Sequence, residues 1–349
     1  MNPYILTFLV FNLGLGTTMT FASSHWLLAW MGLEINTLAI IPIMTQQHHP
    51  RAVEATTKYF LTQATAAAMI LFASTSNAWL TGEWDINQMS NPVTSSMILL
   101  ALSLKLGLAP VHYWMPEVIQ GLDLATGLIL STWQKLAPFI LLLQVAPTLE
   151  PSLLVIIGVL STLMGGWGGL NQTQLRKILA YSSIAHLGWM VIIIQFSPPL
   201  ALLTLLIYIV MTSSAFLTFK FISSTTINAL ATSWTKSPMI ISLSTLILLS
   251  LAGLPPLTGF MPKWLILQEL LKQDLPLLAF FAAMTALLSL YFYLRLCYSV
   301  ALTSSPNTIT ASAPWRLNPH QTSFFTPLAM MLTLTLLPIT PSMLTMVMP

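Results

Sequence analysis

Stretches of about twenty apolar residues follow one another with little but short loops between them. About twenty is the length a helix needs to cross a hydrocarbon core of roughly 30 Å. Eleven such stretches can be read, near 3–21, 25–45, 58–80, 95–121, 124–146, 151–171, 178–196, 199–221, 238–272, 276–301 and 325–347. The fourth and ninth are too long and too proline-rich to be plain helices. Composition points the same way: 6% of residues are charged and 56% apolar, whereas a soluble protein carries about a quarter charged residues. In lipid every backbone polar group must be satisfied internally, so such segments fold as helices. The expected fold is therefore all-α, a polytopic membrane protein of about eleven transmembrane helices. The longest polar segment, Thr303 to Ser323, reads as a loop.

Charge and cysteine content exclude several functions. A net charge of +3, thinly spread, argues against a nucleic-acid surface. One cysteine, Cys297, excludes a disulfide framework and a cysteine-ligated zinc or iron–sulfur site within this chain. The opening Met1-Asn2-Pro3-Tyr4 lacks the positive n-region of a cleavable signal, and no targeting presequence is expected. Lys and Arg set the orientation. Loops after even-numbered stretches hold Arg51, Lys58, Arg176, Lys177, Lys220, Lys236, Arg295 and Arg316, against Lys272 alone after odd-numbered ones. The even loops and the N-terminus are thus expected on the positive-inside face, and the C-terminus on the other.

The chain carries an internal repeat. Gly107-Leu108-Ala109-Pro110-Val111-His112-Tyr113-Trp114-Met115-Pro116-Glu117 lies in the fourth stretch, and Gly253-Leu254-Pro255-Pro256-Leu257-Thr258-Gly259-Phe260-Met261-Pro262-Lys263 in the ninth. Five positions are identical, and an aromatic residue precedes the methionine in both. The copies are five stretches apart, an odd number, so one runs outward where the other runs inward. That describes inverted five-helix repeats, residues 1–149 and 150–302, with 303–349 holding a loop and a final helix. Such repeats recur in ion-coupled transporters. Pro110 and Pro256 each remove a helix hydrogen bond, and Pro116 and Pro262 follow six residues later. All four are expected to mark two broken helices, whose freed carbonyls face protein or water and never lipid.

Six ionisable residues fall well inside these stretches: Glu34, Lys105, His112, Lys135, His186 and Lys263. A charge at the bilayer centre costs about 3 kcal/mol on insertion scales, so each needs a reason. A lysine can snorkel to the interface; Glu34 can form a structural pair with a lysine; a histidine can be a satisfied core residue. The functional alternative is a proton relay. Desolvation disfavours a charged lysine and a nearby carboxylate restores it, so a small displacement of charge moves a proton along. Spacing alone leaves open which of the six touch.

Other features read as structural. Gly165-Gly166-Trp167-Gly168-Gly169 follows no strand and is expected to serve close helix packing or a helix end. Glu54 and Lys58 form an i,i+4 pair at a helix start. His48 and His49 read as solvated, and Trp26, Trp79 and Trp84 as interfacial belt residues.

Lys105 with the first broken-helix motif resembles the antiporter-like, proton-translocating membrane subunits of respiratory complex I and of multisubunit cation/proton antiporters. The second motif, the opening Met1-Asn2-Pro3-Tyr4 and Lys58-Tyr59-Phe60-Leu61-Thr62-Gln63-Ala64 are most similar to the subunit-2 branch. The resemblance covers essentially the whole chain. It implies a Glu–Lys pair of Glu34 and Lys105, a central channel lysine at Lys135, a terminal residue at Lys263, and connecting positions at His112 and His186. Relative to bacterial members, the chain would begin at their fourth helix. The resemblance implies a proton-translocating subunit of the inner mitochondrial membrane, N-terminus in the matrix and C-terminus in the intermembrane space. Its partners would be other membrane-arm subunits, among them further antiporter-like ones, and lipid including cardiolipin, but no nucleic acid. NADH, FMN, iron–sulfur clusters and ubiquinone would be used by other subunits, with no cofactor and no metal in this chain. A free-standing or Mrp-type cation/proton antiporter and a non-conducting membrane scaffold are the competing readings.

Overall fold

The computed structural model describes residues 2–235, 238–301 and 325–347. The expected loop 303–323 with Arg316, and Lys236, lie outside the described residues. The chain divides into two compact units, Met1–Ser161 and Thr162–Pro349. The described residues are almost entirely helical, and their extended pairing is limited to two isolated bridges.

The first unit contains α1 (Pro3–Ala22), α2 (Trp26–Met44), α3 (Pro50–Thr81), α4 (Pro92–Leu106), α5 (Trp114–Gly121) and α6 (Leu124–Val145). The next helix, α7 (Pro151–Gly169), runs into the second unit. There follow α8 (Leu175–Ile193), α9 (Pro198–Ile222), α10 (Ile227–Thr232), α11 (Pro238–Ala252), α12 (Phe260–Lys272), α13 (Pro276–Ala301), α14 (Phe325–Thr335) and α15 (Thr340–Val347). Seven of these helices begin on a proline. Proline fits that position because its missing N–H has no intrahelical partner to lose.

Among the described residues, six helices are long and apolar enough to span a membrane: α1, α2, α6 with the turn after it, α7, α9 and α13. The count of eleven separate spans is not reproduced, for physical reasons that differ by segment. The fourth and ninth stretches are each split, which leaves α4 and α11 as short apolar helices. The last stretch, expected as one helix, is bent by 61° between α14 and α15; Pro338 and Pro341 lie at the bend and supply no N–H to the helical ladder there. The third helix starts at Pro50 rather than near residue 58, because His49 caps it: the Arg51 backbone N–H donates to His49 Nδ1 at 3.2 Å. Several basic residues expected in loops sit within helices. Arg51 and Lys58 begin α3, Arg176 and Lys177 begin α8, and Lys220 closes α9. Arg295 lies inside α13 and donates to the Leu170 carbonyl at 2.7 Å.

Small residues let helices approach closely. A Cβ on Gly16 of α1 would meet the Gly32 carbonyl of α2 at 2.8 Å, and one on Gly32 would meet Thr20 Cγ2 at 2.7 Å. In the second unit a Cβ on Gly165 would lie 2.6 Å from the Ala185 backbone nitrogen of α8, so the glycine run packs helices as expected. Substituting Gly165→Ala is expected to destabilise the fold by about 1–3 kcal/mol, visible as a lower yield of intact complex on native gels. Trp26 departs from expectation. It is 1% exposed, tucked under a loop where its backbone N–H donates to the Trp84 carbonyl. Trp79 is 90% exposed, and Trp84 stacks on His25.

Two local arrangements occur once in each unit. Before α2, the Trp26 N–H donates to the Trp84 carbonyl and the Ile86 N–H to the Ser24 carbonyl. Before α8, the Leu175 N–H donates to the Thr225 carbonyl and the Ile227 N–H to the Thr173 carbonyl. The helix breaks also match. Gly107 and Gly253 sit at φ of +75° and +81°, a conformation glycine adopts without steric cost. At the first break the Gly107 N–H donates to Leu104 and the Leu108 N–H to Ser103; at the second, Gly253 donates to Ser250 and Leu254 to Leu249. This paired closure satisfies carbonyls that the end of a helix leaves free. The non-helical stretches run from Gly107 to Tyr113 and from Gly253 to Gly259, with Pro110 and Pro256 inside them. Pro116 and Pro262 instead sit in the first turns of α5 and α12, where the lost N–H breaks no bond.

Candidate functional site

In each unit candidate residues line a cavity. In the first unit, Lys105 and Lys135 share a cavity with Asn36 and Thr37 of α2, Tyr59 and Gln63 of α3, and Gln134 of α6. It holds about 20 Å³ of space for water-sized occupants, enough for a water molecule among polar partners. Lys135 is 2% exposed and Lys105 6%, so neither amine reaches the bilayer surface. Lys105 lies in the last turn of α4, where the carbonyls carry the negative end of the helix dipole. One of those carbonyls, Leu104, accepts from Trp114 Nε1 at 3.0 Å. Trp114 opens α5 and packs against the Tyr59 ring at 5.8 Å, so the half-helix after the break closes the cavity wall. Pro138, inside α6, lacks the N–H that would bond the Gln134 carbonyl one turn back. The Gln134 side chain ties α6 to α2 by donating to the Asn36 carbonyl at 3.2 Å.

Glu34 stands on α2, partly buried, beside this cavity rather than in its wall. Thr37 Oγ1 donates to its carboxylate at 3.1 Å. Among the described residues, no lysine or arginine nitrogen lies within 4 Å of Glu34 in an ion pair. Glu34 and Lys105 are therefore not in direct contact in this conformation. His112 lies in the first break, 1% exposed. It is held by the Pro110 carbonyl and the Tyr113 ring and is absent from the cavity wall.

In the second unit His186 of α8, Thr204 and Tyr208 of α9, and Lys263 of α12 line a cavity with about 30 Å³ of such space. Lys263 Nζ donates to the Ala252 carbonyl at 2.8 Å. The lysine belongs to the first turn of α12 but its amine reaches back to the carboxyl end of α11. His186 and Tyr208 meet edge to face at 5.7 Å.

The structure thus brings Lys105 together with Lys135, and His186 together with Lys263, while Glu34 stands beside the first cavity and His112 in the first break. Sequence reasoning missed Asn36, Tyr59, Gln63, Gln134 and Tyr208. Each is a neutral polar or amphipathic side chain inside an apolar stretch, and the charged-residue search passes over such groups. At the exposed start of α3, Lys58 pairs at 2.8 Å with both Glu54 and Glu117, extending the expected i,i+4 pair to α5. Among the described residues no three His, Cys, Asp or Glu side chains gather as a metal site.

The comparisons with known proteins agree with one another. The family described as "NADH:quinone oxidoreductase/Mrp antiporter, TM" matches residues 23–289, and "NADH dehydrogenase subunit 2 C-terminus" matches residues 290–344. The "NADH-ubiquinone oxidoreductase chain 2" proteins of Oncorhynchus mykiss and Salmo salar are each 72% identical over 346 residues, 99% of both chains. A chain of the respiratory complex I of Thermus thermophilus is similar at a TM-score of 0.86 and 29% identity, over 99% of this chain and 80% of that one. A chain of the Mrp complex of Dietzia sp. shares the fold, with a TM-score of 0.78 and 18% identity over 86% of this chain and 61% of that one. The chain belongs to the NADH dehydrogenase subunit 2 family, the antiporter-like membrane subunits of NADH:ubiquinone oxidoreductase (complex I).

Proposed function

We propose that this subunit carries protons through its two cavities: Glu34, Lys105 and Lys135 serve the first unit, and His186 and Lys263 the second. The single observation that carries this reading is the placement of Lys105 and Lys135. Two lysines from different helices line one buried cavity, an arrangement that costs stability and that packing alone does not require. Glu34 stands beside this cavity without an ion pair to Lys105. A change in their separation then alters how firmly Lys105 holds its proton. His112, held within the first break, is a connecting position of this path or a support of the break itself.

Further parts of the reading rest on the same footing. The paired loop bonds and the matching breaks support two inverted repeats, residues 1–149 and 150–302. The bias of basic residues supports a matrix-side N-terminus and an intermembrane-space C-terminus in the inner mitochondrial membrane. Electron transfer through NADH, FMN, iron–sulfur clusters and ubiquinone is assigned to other subunits. The partners are the other membrane-arm subunits, further antiporter-like ones included, with cardiolipin among the surrounding lipids.

Two substitutions in the assembled complex test the relay. Glu34→Gln and Lys105→Met are each expected to lower coupled NADH:ubiquinone turnover by at least about tenfold, a fraction of the roughly 10²–10⁴-fold that a positioned proton-transfer group contributes. NADH oxidation by an artificial acceptor should persist in both. Unchanged coupled turnover in both, at normal assembly, would favour a non-conducting scaffold.

A further inference from the structure

The cavity of the second unit holds a third group suited to proton transfer. Tyr208 of α9 is 1% exposed and lines the same space as His186 and Lys263. Its ring lies edge-on to the His186 imidazole at 5.7 Å. Its hydroxyl is hydrogen-bonded to Ser183, which stands one turn before His186 on α8. Tyr208 therefore spans one turn of α8, touching the histidine with its ring and the serine with its hydroxyl. Thr204, one turn earlier on α9, adds a second hydroxyl residue to the wall. A buried tyrosine usually fixes its hydroxyl to a partner; here it does so at the edge of a space wide enough for water.

We infer that Tyr208 is a proton-path residue linking His186 to Lys263. The inference rests on the reading that those two carry protons. The step is a concerted exchange at one oxygen. The phenol oxygen gains a proton from the Lys263 side while its own O–H bond breaks and that proton leaves toward His186 through water in the cavity. Protons balance, and no phenolate accumulates. The reverse direction uses the same bonds. A serine at residue 183 supports the exchange by holding the hydroxyl in register, which makes Ser183 a positioning residue.

The test uses the intact complex reconstituted in liposomes, with Tyr208→Phe, Ser183→Ala and Lys263→Met compared with the unaltered chain. Tyr208→Phe retains the ring against His186 and removes only the hydroxyl. It is expected to lower coupled turnover about tenfold and to change the kinetic isotope effect in heavy water, with artificial-acceptor activity unchanged. Ser183→Ala is expected to give a smaller loss in the same direction. Normal rate, pH profile and isotope effect in Tyr208→Phe, beside a defective Lys263→Met, would overturn the role of Tyr208 alone. Normal behaviour of both variants would overturn the underlying reading as well. If Tyr208→Phe does not assemble, Ser183→Ala decides: an altered isotope effect supports the inference and an unaltered one rejects it.

Discussion

Coupled turnover of the complex is expected to fall about tenfold or more when Lys135 is replaced by alanine, while NADH oxidation by an artificial acceptor continues. Lys135 is 2% exposed on α6 and shares its cavity with Lys105. A cationic side chain at membrane depth costs about 3 kcal/mol. Its removal should therefore leave the fold no less stable, and assembly should survive. Loss of pumping with assembly intact separates a transfer role from a packing role. Lys135→Arg sharpens the measurement. Arginine keeps the charge but does not release a proton at physiological pH, so it is expected to be as defective as alanine. Proton uptake followed with a pH-sensitive dye, normalised to complex on native gels, reads both variants. Full pumping in Lys135→Ala would remove the first cavity from the proton path.

A second large effect is structural. Gly259 ends the second break and stands just before α12. A Cβ built on it collides with the Ser250 carbonyl oxygen of α11, and a backbone oxygen has no rotamer by which to yield. Gly259→Ala is expected to cost about 3 kcal/mol or more, measured as loss of assembled complex. Gly14→Ala is the control, since a Cβ there meets nothing within 4 Å. Equal amounts of assembled complex for the two variants would show that the halves of the broken helix are not held this closely.

Much of this architecture was legible in the residues because lipid leaves so few options. A stretch such as Pro198–Ile222 has to be a helix, and Gly107 and Gly253 beside Pro110 and Pro256 have to interrupt one. The less legible parts turn on contacts between segments distant in sequence. Trp26 reads like an interfacial tryptophan until the Trp84 loop covers it. Pro116 and Pro262 look like further interruptions, yet they open helices, because what decides a proline's effect is where the preceding hydrogen-bond ladder stops. The site follows the same division. Glu34, Lys105, Lys135, His186 and Lys263 stand out because charge in an apolar segment is rare. Gln134 and Tyr208 acquire meaning only from the neighbours that folding brings to them. Lys263 combines both. Its sequence position is beyond the break, and only the fold returns its amine to Ala252.

That return has an electrical consequence. Lys105 belongs to the last turn of α4, and the Lys263 amine donates to the Ala252 carbonyl at the end of α11, where main-chain oxygens supply a fixed negative field. A carboxylate that neutralises a lysine vanishes as a counter-charge once it is itself protonated. A peptide carbonyl takes up no proton under these conditions, so its pull persists through every stage of turnover. The interrupted helices thus act as permanent electrodes, a fixed field that protonation of neighbouring side chains leaves unchanged.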